Sequence, residues 1–213
     1  MTSPLPSPGG PRAAAHKDGI RVRPLSRWQA QDLRADLADL CVRPSPAAVG
    51  DRRDFLGRFD DALRRPGFTL LVAETTTVVG CAYGVPVGRG DLWWRDVDRG
   101  RRPAAARLTT EGRVLAVTQV VADPRGQSRA VARRLQERLL ALRDAALGLT
   151  LLDPADRAAR SALASWGWQD IGDVVRFPGP VVRRALVLER GAREPSVPPP
   201  PAHGTASAPG GGG

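Results

Sequence analysis

The stretch of sequence that decides the fold is VTQVVADPRGQSRAVARRLQERLL, residues 117–140. It begins with an apolar strand that ends at Asp123-Pro124, and a short turn then leads directly into a long helix. The start of such a helix presents free backbone N–H groups and the positive end of the helix dipole. Together these features predict a site for an anion such as a pyrophosphate. The segment is not a Walker A loop, because no Gly-Lys pair is followed by Ser or Thr.

The side chains along this helix are compatible with an anionic ligand and with a solvated surface. Small residues at Ser128, Ala130 and Ala132 would let phosphates approach the backbone closely. Ser128 could instead simply cap the helix. Four arginines could add positive charge near the anion or could form the polar face of an amphipathic helix. They are Arg125, Arg129, Arg133 and Arg134.

Hydrophobic periodicity on either side of this segment predicts an alternation of strands and helices. The predicted strands span residues 20–23, 68–74, 78–87, 114–121, 149–153, 168–176 and 181–189. The predicted helices span residues 27–42, 51–65 and 128–146, with a last one that starts at Asp153-Pro154 and ends at Gly167. Residues 88–113 are predicted to form a long polar loop. Because hairpins dominate, we expect an α+β fold in three layers, with a mixed, mostly antiparallel sheet of about seven strands and about four helices.

The composition along the chain predicts one folded domain at residues 19–190. Residues 1–18 and 191–213 are rich in Pro, Gly, Ser and Ala and are predicted to be disordered tails. No stretch approaches the roughly 18 to 20 apolar residues that span a bilayer, and the N-terminus lacks the apolar run of a signal peptide. The two cysteines, Cys41 and Cys81, are expected to be reduced thiols. We therefore expect a cytoplasmic protein with no membrane partner.

Charge and histidine content exclude several classes of function. His16 and His203 are the only histidines, and both lie in the tails. A core without histidine has no Ser-His-Asp triad and no His-based zinc site, so no metal is predicted. The net charge of +10 raises a nucleic-acid-binding module as a third alternative. The sequence does not favour that alternative, because it has no known binding motif and too few aromatic residues for a stacking platform.

Two blocks of sequence resemble the GNAT N-acetyltransferases. The run QSRAVA at residues 127–132 resembles the family's acetyl-CoA signature, Q/R-x-x-G-x-G/A, with Ala130 in place of the middle glycine. Downstream, LLDPADRAARSALASWGWQDIG at 151–172 resembles the family's next block, a strand followed by a helix and a Trp-Gly turn. Residues 82–88 and 91–94 resemble one bacterial subgroup. The resemblance covers about residues 20–190, in the right order and spacing.

This resemblance implies the GNAT fold and the transfer of an acetyl group from acetyl-CoA directly to a primary amine. It also implies that the pantetheine arm binds the central strand like an added strand, and that the pyrophosphate lies at the helix start. The residues carried over for the arm are Val120, Val121 and Ala122. Those for the pyrophosphate are Gln127, Ser128, Arg129, Ala130, Val131 and Ala132. Asp156 occupies a position where relatives often have an Asn that contacts the cofactor. The acceptor amine stays unidentified, and a homodimer is an open expectation.

Two positions depart from the family's pattern. Relatives usually place a Tyr four residues before the Gly of the Trp-Gly turn, where it protonates the departing CoA thiolate, and here that residue is Leu163. Relatives of the subgroup tend to have a Glu on the central strand, and here Gln119 cannot act as a base. The alternative function is therefore a degenerate GNAT domain that binds acyl-CoA or a protein partner without turnover.

No catalytic residue is assigned from the sequence. Holding the amine beside the thioester would still accelerate the reaction, as would an oxyanion site at the backbone N–H of Val121 or Ala122. Candidates for a substitute acid are Ser161, Ser165 and Tyr83. Other side chains are expected to be structural, namely Trp166, Trp168 and Cys81. Trp93-Trp94 would either bind a ligand or dock against the core.

Overall fold

The computed structural model describes residues 19–42, 49–88, 91, 102–124, 128–176 and 181–190. The two predicted tails lie outside these residues. So do Arg125, Gln127 and the Trp93-Trp94 pair, which the sequence singled out. Among the described helices, none combines the length and the hydropathy that crossing a bilayer requires.

Seven strands form one mixed sheet in the order β1-β2-β3-β4-β5-β7-β6. The strands are β1 Arg21–Leu25, β2 Thr69–Glu74, β3 Val78–Pro86, β4 Val114–Ala122, β5 Leu147–Leu152, β6 Gln169–Arg176 and β7 Val181–Glu189. β4 and β5 pair in parallel, and the other neighbouring strands pair antiparallel. The predicted mixed, mostly antiparallel sheet is therefore confirmed.

Helices cover both faces of the sheet and complete three layers. They are α1 Arg27–Asp32, α2 Arg34–Val42, α3 Val49–Arg64, α4 Arg102–Thr110, α5 Ser128–Leu142 and α6 Arg157–Ala164. On one face, Leu135 and Leu139 of α5 and Leu163 of α6 share a buried cluster with Leu115 and Val117 of β4. On the other face, α1, α2 and α3 bury a second cluster against β2 and β3. α4 packs through Ala105 on a third cluster, which includes Leu149 of β5.

The described residues form six helices where the sequence predicts about four. The predicted helix at 27–42 is interrupted at Leu33, which is the C-cap of α1 and has φ −85° and ψ 3°. The prediction of a loop throughout 88–113 is wrong, because α4 lies within it. The sequence signal for α4 is weak: its buried contacts come from small or polar side chains, Ala105 and Thr109, rather than from a stripe of large apolar residues.

Candidate functional site

β4 and β5 separate partway along their length. They pair only from Val114 opposite Leu147 to Ala116 opposite Leu149. Beyond these pairs, β4 continues against β3 as far as Ala122, and β5 continues against β7 as far as Leu152. The facing edges of β4 and β5 therefore diverge beyond Ala116 and Leu149, and a gap opens in the centre of the sheet.

A bulge in β4 lies where the gap begins. Tyr83 of β3 is opposite Gln119, whereas the next residue, Gly84, is opposite Val117, so Thr118 is the extra residue on β4. A bulge bends its strand and increases its local twist. The close approach also requires the glycine, because a Cβ on Gly84 would lie 2.5 Å from the Ala116 carbonyl oxygen. The bulge thus turns the second half of β4 away from its partner.

The backbone of β4 beyond the bulge presents polar groups towards the gap. The Asp123 N–H donates to the Val79 carbonyl of β3 at 2.8 Å. Because opposed residues in an antiparallel ladder alternate between bonded and non-bonded pairs, Val121 is expected to bond β3 as well. By the same alternation, we expect the N–H and C=O groups of Val120 and Ala122 to face away from β3, towards the gap.

A cavity of about 670 Å³ occupies this gap. The strands line it with residues 116–120 of β4 and 149–153, which run from β5 into the following turn. α5 contributes Ala132 and Gln136, and α6 contributes Ala159, Ala162 and Leu163, together with its N-cap Asp156. The volume is within the range of small-molecule sites, roughly 300–1,000 Å³.

The cavity has one compartment on each face of the sheet. Val117 and Val120 belong to the cluster beneath α5 and α6, whereas Ala116 and Leu149 pack on the face that carries α1–α4. All four line the same cavity, so it passes through the gap. We call its two ends the α5 compartment and the α3 compartment. Arg58, Arg65 and Arg183 line the cavity. We assign them to the α3 compartment, because Arg58 and Arg65 belong to α3 and the turn after it, and Arg183 lies on the face of β7 that packs beneath α4.

The structure distributes the residues predicted to hold the pyrophosphate among different environments. α5 begins at Ser128, which is half-buried, and Arg129 and Ala130 are exposed in its first turn. Val131 is buried in the core, so it anchors the helix against the sheet, and Ala132 lines the cavity. Arg129 donates from Nη2 to Ser165 Oγ at 2.9 Å, which joins the start of α5 to the end of α6.

Asp156, and not Asp153, caps α6, so the predicted helix start at Asp153-Pro154 is wrong. Asp156 Oδ1 accepts from the Ala159 N–H at 2.9 Å. Asp153 Oδ1 accepts from the Ala155 N–H at 2.9 Å and so closes the turn before the helix. Both patterns are typical of Asp, which is favoured at helix N-caps and in turns, so the residue type alone does not distinguish the two positions.

Two buried polar side chains line the cavity without a hydrogen-bond partner. Gln136 is 1% exposed and Trp168 is 3% exposed. Among the residues that the structure describes, neither the two polar atoms of the Gln136 amide nor Nε1 of Trp168 has a hydrogen-bond partner. A buried polar group without a partner costs about 1–3 kcal/mol. Sequence reasoning missed Gln136, although a Gln on the same face as the apolar Leu135, Leu139 and Leu140 was an available signal.

The two departures from the family's acid–base pattern both lie on the cavity wall. Leu163 and Gln119 line the cavity, so neither position offers a proton donor or a base there. Tyr83 is fully buried among Phe55, Phe59 and Phe68. Burial raises the pKa of its phenol well above the ordinary range. Tyr83 does not line the cavity, so it is not placed to act as the acid.

The remaining candidate side chains are likewise outside the cavity. Ser161 and Ser165 are exposed on α6 and do not line it. Cys81 is fully buried, as expected for a core residue. A hydrogen bond with Cys41 and its own burial raise the pKa of the Cys81 thiol well above the ordinary value. A thiol held in the neutral form is a poor nucleophile.

Comparisons with known proteins find similarity in three dimensions. No family model and no curated protein matches the sequence. A GNAT-family protein from Desulfovibrio desulfuricans superposes with a TM-score of 0.55 at 13% identity, over 80% of this chain and 99% of that one. An aminoglycoside 6'-acetyltransferase type Ii gives 0.53 at 14% identity, over 79% and 96%. An aminoglycoside acetyltransferase solved with coenzyme A gives 0.53 at 18% identity, over 82% and 96%. These similarities establish a shared fold.

Proposed function

We propose that this chain, whose fold is that of the GNAT acetyltransferases, transfers an acetyl group from acetyl-CoA directly to a primary amine. The observation that carries the proposal is the cavity through the gap between β4 and β5. Acetyl-CoA would enter through the α5 compartment and the amine through the α3 compartment. The two reactants would then meet between the strands, beside the unpaired edge of β4.

The proposed acetyl-CoA site uses the residues that the resemblance implied. The pantetheine arm would hydrogen-bond the strand edge at Val120–Ala122, where alternation favours the groups of Val120 and Ala122 over those of Val121. The pyrophosphate would lie at the start of α5, against the residues from Gln127 to Ala132. The orphaned amide of Gln136 supports a polar ligand in this compartment, because a bound ligand would satisfy it. Asp156 would contact the cofactor from the α6 side.

The proposed chemistry depends on position rather than on a side-chain acid or base. The amine nitrogen attacks the thioester carbonyl carbon, and a tetrahedral oxyanion forms that a backbone N–H of β4 would stabilise. The C–S bond then breaks, the electron pair leaves with the CoA thiolate, and the amine proton passes to water. Holding two reactants in the correct geometry accounts for about 7–11 kcal/mol of a barrier in favourable cases. The hydrophobic Leu163 leaves the thiolate without a donor at the usual position.

A second candidate function is acyl-CoA binding without turnover. The specific observation that favours it is that Leu163 and Gln119 both line the cavity, where an acid and a base would be needed. The two functions share the proposed CoA site and differ in whether the thioester is consumed. Binding alone therefore cannot distinguish them, whereas release of free thiol does.

We do not propose an aminoglycoside as the acceptor of this chain, although two of the structural neighbours are aminoglycoside acetyltransferases. Aminoglycosides are polycations, and the three arginines that line the α3 compartment would repel them. A cytoplasmic location is part of the same proposal.

The experiment that tests the proposal is a thiol-release assay on the purified full chain with acetyl-CoA and a panel of primary amines. Free thiol above the amine-free background, together with the acetylated amine identified by mass spectrometry, would establish transfer. Saturable acetyl-CoA binding with no thiol release across the panel would favour the binding-only function. Absence of acetyl-CoA binding would overturn both.

A further inference from the structure

We infer that the amine acceptor carries an anionic group, a carboxylate or a phosphate, which the α3 compartment binds through Arg58, Arg65 and Arg183. The inference rests on the proposed acetyl transfer for the position of the amine. It rests on the charge of the α3 compartment for the chemical class of the acceptor.

Arg58 is the cation with the most freedom to bind such a group. It lies on α3, is exposed and lines the cavity. In the part of the chain that the structure describes, it has neither an ion pair nor a side-chain hydrogen bond. A guanidinium offers five donors in a planar fork that matches a carboxylate or a phosphate in two parallel bonds.

Arg65 and Arg183 have partners that a ligand could replace. Arg65 Nη2 lies 3.5 Å from Asp91 Oδ2, and Arg183 Nη1 lies 3.5 Å from Asp153 Oδ2. Both distances are long for an ion pair, and in each pair at least a third of either side chain is exposed. Exposed pairs of this kind contribute little to stability, so exchanging Asp for an anionic ligand costs little.

The arginines reach this compartment from different elements of the fold. Arg58 and Arg65 come from α3 and the turn after it, and Arg183 comes from β7. Arg183 is on the same face of β7 as Val187, four residues on, which packs in the cluster beneath α4. Two carboxylates lie beside them, Asp91 next to Arg65 and Asp153 next to Arg183, so three cations face two anions and one positive charge remains unbalanced there. A site assembled from separate elements is held by the core and not by one flexible segment.

Binding an anion here would also direct the reacting amine. An acceptor held by its carboxylate or phosphate at the arginines would extend its amine towards the gap between the strands. Binding energy from this remote group would then serve to position the amine beside the thioester. Because the usual acid and base positions are Leu163 and Gln119, such positioning would be the main source of acceleration.

Matched amine pairs test the inference. Each pair differs by one anionic group: L-phenylalanine with phenethylamine, and O-phosphoethanolamine with ethanolamine. We expect kcat/KM for the anionic member of at least one pair to exceed that for its neutral partner by roughly tenfold or more. The first pair reports a carboxylate and the second a phosphate. Raising the NaCl concentration should reduce the preference, because salt screens exposed charges.

Variants identify the residues responsible. Arg58→Gln and Arg183→Gln should each reduce kcat/KM for the anionic member by about tenfold and change that for the neutral member by less than about twofold. The control is Arg64→Gln. Arg64 is beside Arg65 on the chain, is ion-paired with Asp61 and does not line the cavity. Arg64→Gln should leave kcat/KM unchanged for both the anionic and the neutral member of each pair.

A binding readout separates this inference from the proposed function. The same amines are titrated by calorimetry into the full chain saturated with CoA. Tighter binding of the anionic member that is lost in Arg58→Gln supports the inference even if no amine releases thiol, a result that would count against the transfer function alone. Equal binding of both members of each pair, or tighter binding of the neutral ones, overturns it even if acetyl transfer is observed.

Discussion

Thr150 Oγ1 of β5 donates a hydrogen bond to the Val117 carbonyl oxygen of β4 at 3.0 Å, across the point where the two strands diverge. The Val117 carbonyl lies one residue beyond the last pair of the ladder, so this side chain replaces the missing backbone donor. Both residues line the cavity. The hydroxyl thus closes the base of the gap, and the diverging edges beyond it are left for a ligand.

Replacing this hydroxyl should destabilise the protein. Thr150→Val keeps the shape of the side chain but leaves the Val117 carbonyl without its donor. Because an unsatisfied buried acceptor costs about 1–3 kcal/mol, we expect the free energy of unfolding to fall by that amount. The measurement is urea denaturation. The control is Thr110→Val, which removes a hydroxyl bonded to Ala106 on an exposed helix surface. Equal stability of Thr150→Val and wild type would contradict this role.

The buried amide of Gln136 should lower the stability of the ligand-free protein and contribute to acetyl-CoA binding. Gln136→Met removes a buried amide without a partner and keeps a similar volume, so the ligand-free protein should gain about 1–3 kcal/mol. That gain corresponds to a rise in Tm of about 2–4 °C per kcal/mol. The same variant should bind acetyl-CoA several-fold more weakly, because a ligand contact is lost. Unchanged affinity together with raised stability would show that the amide does not contact the ligand. Gln31→Met, at an exposed position of α1, is the control.

Adding the usual acid or base to the cavity should raise activity. Leu163→Tyr and Gln119→Glu each place an ionisable group on the cavity wall. Because general acid–base catalysis contributes about 10²–10⁴-fold when geometry is ideal, we expect kcat to rise by about tenfold or more in at least one variant. Gln119→Glu should also add the titration of the new carboxylate to the pH profile of kcat. If both variants fold, bind acetyl-CoA and show the wild-type kcat, then protonation steps do not limit turnover.

A carboxylate at the sheet edge should contribute to the acid sensitivity of the fold. Burial alone raises the pKa of Asp170, but hydrogen bonds from Arg184 and the Gly172 N–H outweigh it and lower the pKa overall. The folded protein therefore binds fewer protons at this site than the unfolded chain, so stability increases with pH. We expect wild type to be more stable than Asp170→Asn at pH 7. This advantage should shrink as the pH falls from about 5 to 3, measured by urea denaturation. A constant difference would contradict the assignment.

Much of this architecture follows from local sequence patterns. The apolar run of β4 and the apolar face of α5, with Val131, Leu135 and Leu139, are strong signals. They are strong because β4 is covered on both faces of the sheet and α5 buries one side against it. The strand–turn–helix junction therefore predicts the position of α5 over β4 without any knowledge of the rest. α4 and the interruption at Leu33 were missed, because small buried side chains and a single bent residue leave little periodic signal.

The candidate site was predicted only in part, because it depends on contacts between distant segments. Gln119 and Leu163 are 44 positions apart in the chain, and the resemblance alone indicated that they face one cavity. The bond from Thr150 to Val117 depends on where two strands diverge, and that point has no local signature. Similarly, no sequence pattern indicates that Arg58 and Arg183 lie near each other. Only the fold brings both side chains to one compartment.

The measurement that tests the central claim most directly is a calorimetric titration of acetyl-CoA into the wild type, Ala132→Trp and Ala141→Trp. Ala132 lines the α5 compartment, whereas Ala141 is exposed on the same helix and does not line the cavity. We predict binding on the order of micromolar Kd for the wild type and Ala141→Trp, and a loss of at least about 100-fold for Ala132→Trp, because the indole would fill the space that the pyrophosphate of acetyl-CoA would occupy. Equal binding by all three proteins, or no binding by the wild type, would contradict the assignment of this cavity to acetyl-CoA.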